Sequence, residues 1–73
     1  MKVKDLLSLL SQFPADLDVV VKGYEGGVDD VVAVKIINIQ RDANEEWYYG
    51  RHEMDEDSDI QAVLILGENR RAD

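Results

Sequence analysis

The chain has 73 residues and no cysteine, with 45% hydrophobic and 33% charged residues, and sixteen acids against eight bases give a formal charge of −8. That length permits one domain, and the missing thiol excludes a disulfide framework, the commonest zinc ligand and a Cys-His nucleophile pair. The charge disfavours nucleic acid and anionic membranes as partners.

A folded chain of 8.3 kDa leaves roughly 4,600 Å² accessible. The core behind such a surface is marginal for a lone monomer, so self-association is the stabilising device still open. No apolar run approaches the ~20 residues that span a bilayer. Asp5 and Ser8 interrupt the apolar opening, and no small-residue cleavage site follows it, so an export signal is rejected and a cytoplasmic location is expected.

Val3, Leu6, Leu7 and Leu10 recur at i, i+3, i+4 and i+7, with Leu9 and Phe13 widening the stripe, and predict an amphipathic helix over residues 3–13. Asp5 suits the positive end of that helix, and Pro14 stops it. Its apolar stripe needs a sheet to lie on. Val19-Val20-Val21 centres a strand over residues 18–24, and Glu25-Gly26-Gly27 opens a connection in which adjacent glycines permit positive φ. The longest β-branched run predicts the central strand over residues 31–40.

Trp47, Tyr48 and Tyr49 carry strong strand preference and suggest a third strand over residues 46–52. Residues 53–59 are the most acidic segment and read as a solvated loop. Residues 60–66 make a fourth strand, and the polar ending from Glu68 to Asp73 is expected to fray. The expected fold is α+β, one N-terminal helix packed on a four-stranded antiparallel meander sheet. Val19, Val21, Val32, Val34, Ile36, Ile60, Ala62, Leu64 and Leu66 would face the helix. The other face, with Val20, Lys22, Tyr24, Ala33, Lys35, Ile37, Val63 and Ile65, would stay apolar and uncovered, which predicts a homodimer or higher oligomer.

Val3-Lys4-Asp5-Leu6-Leu7, then Leu10, Pro14, Asp16, Val19 and Val21, followed by Tyr24-Glu25-Gly26-Gly27 and Asp29-Asp30, resembles a group of small bacterial and phage proteins. These open on a leucine-rich helix, lead into the first strand through Pro-x-Asp-x-x-Val, and carry a Tyr-Glu-Gly-Gly acidic loop. The likeness covers the first half of the chain. It implies a bacterial or phage origin and transfers no catalytic residue.

Candidate chemistry is sparse. Asp55-x-Asp57-x-Asp59 has the opening spacing of a calcium loop, but Ile60 stands where the turn needs glycine and Leu66 where the bidentate Glu belongs, so no metal site is expected. Asp29 and Asp30 with Glu25 fit a turn better than an acid-base pair. Ser8, Ser11 and Ser58 lack a nucleophile's context, and neither enzyme activity nor a cofactor is expected. Trp47, Tyr48 and Tyr49 are the best recognition candidates, with Trp47 and Tyr49 on one side of the expected strand and Tyr48 on the other, and at least one of them is expected to complete the core or the dimer interface. Three noncatalytic readings result: a homo-oligomeric binding or regulatory protein, an acidic inhibitor presenting Glu53 to Asp59, with Asp55, Asp57 and Asp59, to a basic protein, and a sequestering protein with a pocket between subunits near Tyr24, Gly26, Gly27 and Trp47.

Overall fold

The structure, a computed structural model, describes residues 1–69. The elements run α1 (Val3–Leu10), β1 (Val20–Lys22), a 3₁₀ turn (Tyr24–Gly26), β2 (Val28–Gln40), β3 (Glu53–Met54) and β4 (Gln61–Gly67). The class is α+β with an antiparallel four-stranded sheet. β1 and β3 pair the two ends of β2, and β4 is also bonded to β2, whereas a strict meander would add it beyond β3. Of the polar tail, residues 70–73 lie outside the described residues. Two compact units divide the chain: Met1–Val32 with the segment from Leu66 onward, and Ala33–Ile65.

In the first unit, Asp5 accepts the Lys2 backbone N–H through Oδ2 at 2.9 Å. An anion so placed satisfies an orphan donor and complements the macrodipole. The helix ends at Leu10, short of the predicted Phe13, because the chain tightens: Gln12 N–H reaches Leu9 O and Phe13 N–H reaches Leu10 O, both i→i−3 bonds. The expected cover of the apolar stripe is not seen. Leu6 is half-buried, while Leu7 is 63% exposed and Val3 and Leu10 are exposed as well.

The first hairpin pairs Val20 with Asp30, Val21 with Asp29 and Lys22 with Val28. It is shorter on β1 than the predicted 18–24. Gly23 N–H closes it on Gly27 O at 2.9 Å. Within the turn Gly26 takes φ +82°, the left-handed conformation its missing side chain permits, and Glu25 takes φ 50° beside it. Val21, Asp29 and Val31 are half-buried, and Val20, Val28 and Val32 are exposed.

Gly67 closes β4 against this hairpin: a Cβ there would lie 2.8 Å from Val21 Cγ2 and 3.5 Å from Asp29 Cβ. Gly67→Ala is therefore expected to destabilise the chain by about 1–2 kcal/mol. Gly50→Ala, where the nearest atom is His52 O at 3.8 Å, serves as a near-neutral control. Equal urea midpoints for the two variants would contradict the close approach.

Two bonds fix the sense of the ladder between β2 and β4. Glu68 N–H donates to Asp30 O and Ile39 N–H to Ile60 O, each at 2.9 Å. Position rises along β2 as it falls along β4, so the pair is antiparallel. The span from Asp30 to Ile39 is one residue longer than that from Ile60 to Glu68, so the register at the two ends of this pair differs by one residue.

This register changes the expected faces. In the second unit Ala33 and Ile37 are half-buried as are Ala62 and Leu64, whereas Val34, Ile36, Val63 and Ile65 are exposed. Val34 and Ile36 thus stand on the open face rather than the covered one, because a single-residue offset exchanges every side chain between faces.

The predicted third strand over residues 46–52 does not form. β3 is Glu53–Met54, with Ile39 opposite Met54 and Gln40 opposite Glu53. Residues 41–52 make a loop, and its aromatic triplet has no neighbouring strand to realise its β preference, which depends on cross-strand packing.

The acidic segment is likewise not a loose loop. Asp55 N–H bonds Asn38 O at 2.9 Å and Ser58 N–H bonds Asp55 O at 3.1 Å. Ser58 Oγ donates to Ile39 O at 2.6 Å and accepts from Ile60 N–H at 3.2 Å. These bonds fold the segment over Ile39, which at 8% exposure is the buried hydrophobic residue of the described chain.

Candidate functional site

The loop over residues 41–52 is organised by short-range polar bonds. Asp42 takes φ 52°, a left-handed conformation that Asp tolerates better than most residues. Its backbone N–H donates to His52 Nδ1 at 2.9 Å. Asn44 ties the loop across its waist: its N–H reaches Arg51 O at 3.1 Å, and its Nδ2 donates to Gly50 O at 2.7 Å and Glu53 Oε1 at 2.8 Å. At the tip, Tyr49 N–H bonds Glu46 O at 3.1 Å, closing a turn around Trp47 and Tyr48.

Asn44→Ala removes both amide bonds, each worth about 0.5–1.5 kcal/mol net. Amide exchange across residues 44–52 is expected to accelerate by about fivefold or more. Unchanged exchange there would mean that the loop is held by something else.

The turn sets the aromatic rings against one another. Trp47 and Tyr48 meet edge to face, with centroids 5.6 Å apart and planes at 85°. Tyr48 and Tyr49 lie 4.9 Å apart at 51°. Such contacts contribute roughly 0.5–1.5 kcal/mol each. Trp47 is nonetheless 90% exposed.

Beside these rings lies a concavity of about 580 Å³ lined by Asp42, Asn44, Glu45, Glu46, Trp47, Tyr49 and Arg51. Its charge is mostly negative. Arg51 Nη1 stands 3.7 Å from Asp42 Oδ1, both well exposed, and an open pair of this kind contributes at most about 1 kcal/mol. The side chains of Glu45, Glu46 and Trp47 make no hydrogen bond among the described residues.

Of the residues singled out from the sequence, Trp47 and Tyr49 line this concavity. Tyr24, Gly26 and Gly27 belong to the other compact unit, where Gly27 N–H closes the turn on Tyr24 O at 3.2 Å and the Tyr24 ring is well exposed. Asp55 and Asp57 are engaged with each other, Asp57 N–H donating to Asp55 Oδ1 at 3.0 Å, and Asp59 is exposed. Among the described residues no group of three or more His, Cys, Asp or Glu could hold a metal ion, and no helix is long and apolar enough to cross a membrane.

Sequence reasoning missed Asp42, Asn44, Glu45 and Glu46 as neighbours of the rings. The signal was present in the run Asp42-Ala43-Asn44-Glu45-Glu46 directly before Trp47, of which residues 42–45 read as a polar connection and Glu46 as the start of the expected third strand. Ser58 was weighed only as a nucleophile, and both its bonds turn out to be main-chain ones. Comparison with protein-family models, with curated proteins and with solved structures finds no match for this chain.

Proposed function

We propose that this chain is a small noncatalytic binding or regulatory protein, of bacterial or phage origin and cytoplasmic, that works as a homo-oligomer, most simply a two-fold dimer. The supporting observation is the uncovered sheet face. Val34 and Ile36 are 63% and 64% exposed, and Val63 and Ile65 are exposed with them. The four alternate with half-buried neighbours on two strands that pair with each other, so they make an apolar patch on the exposed side.

A stable interface takes about 800 Å² from each partner. A second copy of this chain is a sufficient cover, and the helix stripe through Val3 and Leu7 supplies further apolar surface.

The noncatalytic reading is supported by how the reactive side chains are used. Ser58 Oγ bonds Ile39 and Ile60, Ser11 Oγ donates to Ser8 O, and the single histidine accepts the Asp42 N–H. Sedimentation equilibrium across micromolar concentrations tests the reading. The expected mass is twice 8.3 kDa, and a single-chain mass throughout overturns it.

A further inference from the structure

The uncovered apolar face belongs to the reading above, and the acidic segment after Met54 is folded onto Ile39. The concavity beside Trp47 is accounted for by neither. We propose that it is a recognition site for a guanidinium group, presented as an exposed arginine of a basic partner protein.

Three features of the site converge on that chemistry. The first is the exposed Trp47 face with Tyr49 on the same concave wall. Aromatic faces attract cations, tryptophan most strongly, and a planar guanidinium stacks on them. The second is the pair of carboxylates at Glu45 and Glu46, which line the same wall and have no partner among the described residues. A guanidinium offers a fork of donors that matches a carboxylate, which an ammonium does not.

The third is charge. Three acids of the wall face a single base, Arg51, itself beside Asp42, on a chain carrying −8 overall. That field draws a cationic partner and repels an anionic one. Arg51 marks the place a visiting guanidinium would compete for, since it already sits against one of these carboxylates. The loop is braced for the task by Asn44 and by the turn at Glu46, which lowers the ordering cost of binding. The site lies wholly within Ala33–Ile65 and does not depend on self-association.

Trp47 is the chain's single tryptophan, so its fluorescence reports this site alone. The full chain, at fixed protein concentration and ionic strength, is titrated with N-acetyl-arginine amide, N-acetyl-lysine amide and N-acetyl-alanine amide. The arginine compound is expected to give a saturable change in the millimolar range, the lysine compound to bind about threefold more weakly or worse, and the neutral compound to give none.

The double variant Glu45→Gln, Glu46→Gln is expected to weaken arginine binding by about tenfold, with circular dichroism unchanged. Arg51→Ala, which removes the resident cation, is expected to tighten binding about twofold. The proposal is overturned by a response to arginine no different from that to alanine, by equal affinity for lysine, or by undiminished binding in the folded double variant.

Discussion

Lysine at both Ile36 and Val63 is expected to hold the protein at a single-chain mass at concentrations where the unaltered chain is paired, weakening association by about a hundredfold or more. Both positions are exposed within the Ala33–Ile65 unit, so each long side chain has room in the isolated chain and the fold should survive. In the proposed dimer, two-fold symmetry would bring four ammonium groups into an apolar interface. Burial of an unpaired charge costs several kcal/mol, and about 1.4 kcal/mol is a tenfold change.

Lysine is the informative choice. The two substitutions move the net charge from −8 to −6, and that change alone would favour association by easing repulsion between copies. Loss of pairing would then be assignable to the apolar patch. If the double variant sediments as the unaltered protein does, the patch is not the interface.

Ile39→Ala is expected to destabilise the chain by about 2–4 kcal/mol, the range for truncating a buried aliphatic side chain. A chain of this length has a total stability of roughly 4–11 kcal/mol, so a large part of it goes with one residue. Ile39 is singled out by its burial and by its main chain. Its N–H is taken by Ile60 O, its C=O by Ser58 Oγ, and Met54 stands opposite it on β3.

In urea the midpoint should fall by about 2–4 M, given a slope near 1 kcal/mol per M for a small domain. A fall below about 0.5 M would show that the second unit is anchored elsewhere.

The helix and the long β2 strand were legible because each rests on local rules, 3.6-residue spacing and a run of β-branched side chains, whereas the helix ends at Leu10, ahead of the stop expected at Pro14. The turn at Gly26 was legible for the same reason. What escaped depends on partners distant in sequence. Trp47 to Tyr49 have the composition of a strand, and only the arrangement of Asn44, Gly50 and Arg51 makes them a turn. The faces of β2 were assigned by alternation alone, which gives two sets of residues without saying which set is covered; that depends on the neighbouring strands, and the odd-numbered set, Lys35 apart, is the half-buried or buried one.

The acidic segment was misread through charge. Its carboxylates suggested repulsion, whereas its backbone and the Ser58 hydroxyl do the bonding. At the recognition site, Trp47 and Tyr49 were visible as large exposed candidates, but the carboxylates beside them were not.

β1 reaches only Val28–Asp30 of the long central strand and β3 only Ile39–Gln40. β4 is bonded to β2 as well, and any main-chain group of a strand that no neighbour takes is a template on which a foreign strand could zip, the route by which sheets nucleate amyloid. Lys35 sits in the middle of β2, exposed amid valine and isoleucine. A charge among apolar neighbours discourages such pairing, because an added strand would bring its own side chains against the ammonium, and a neutral residue there would remove that safeguard.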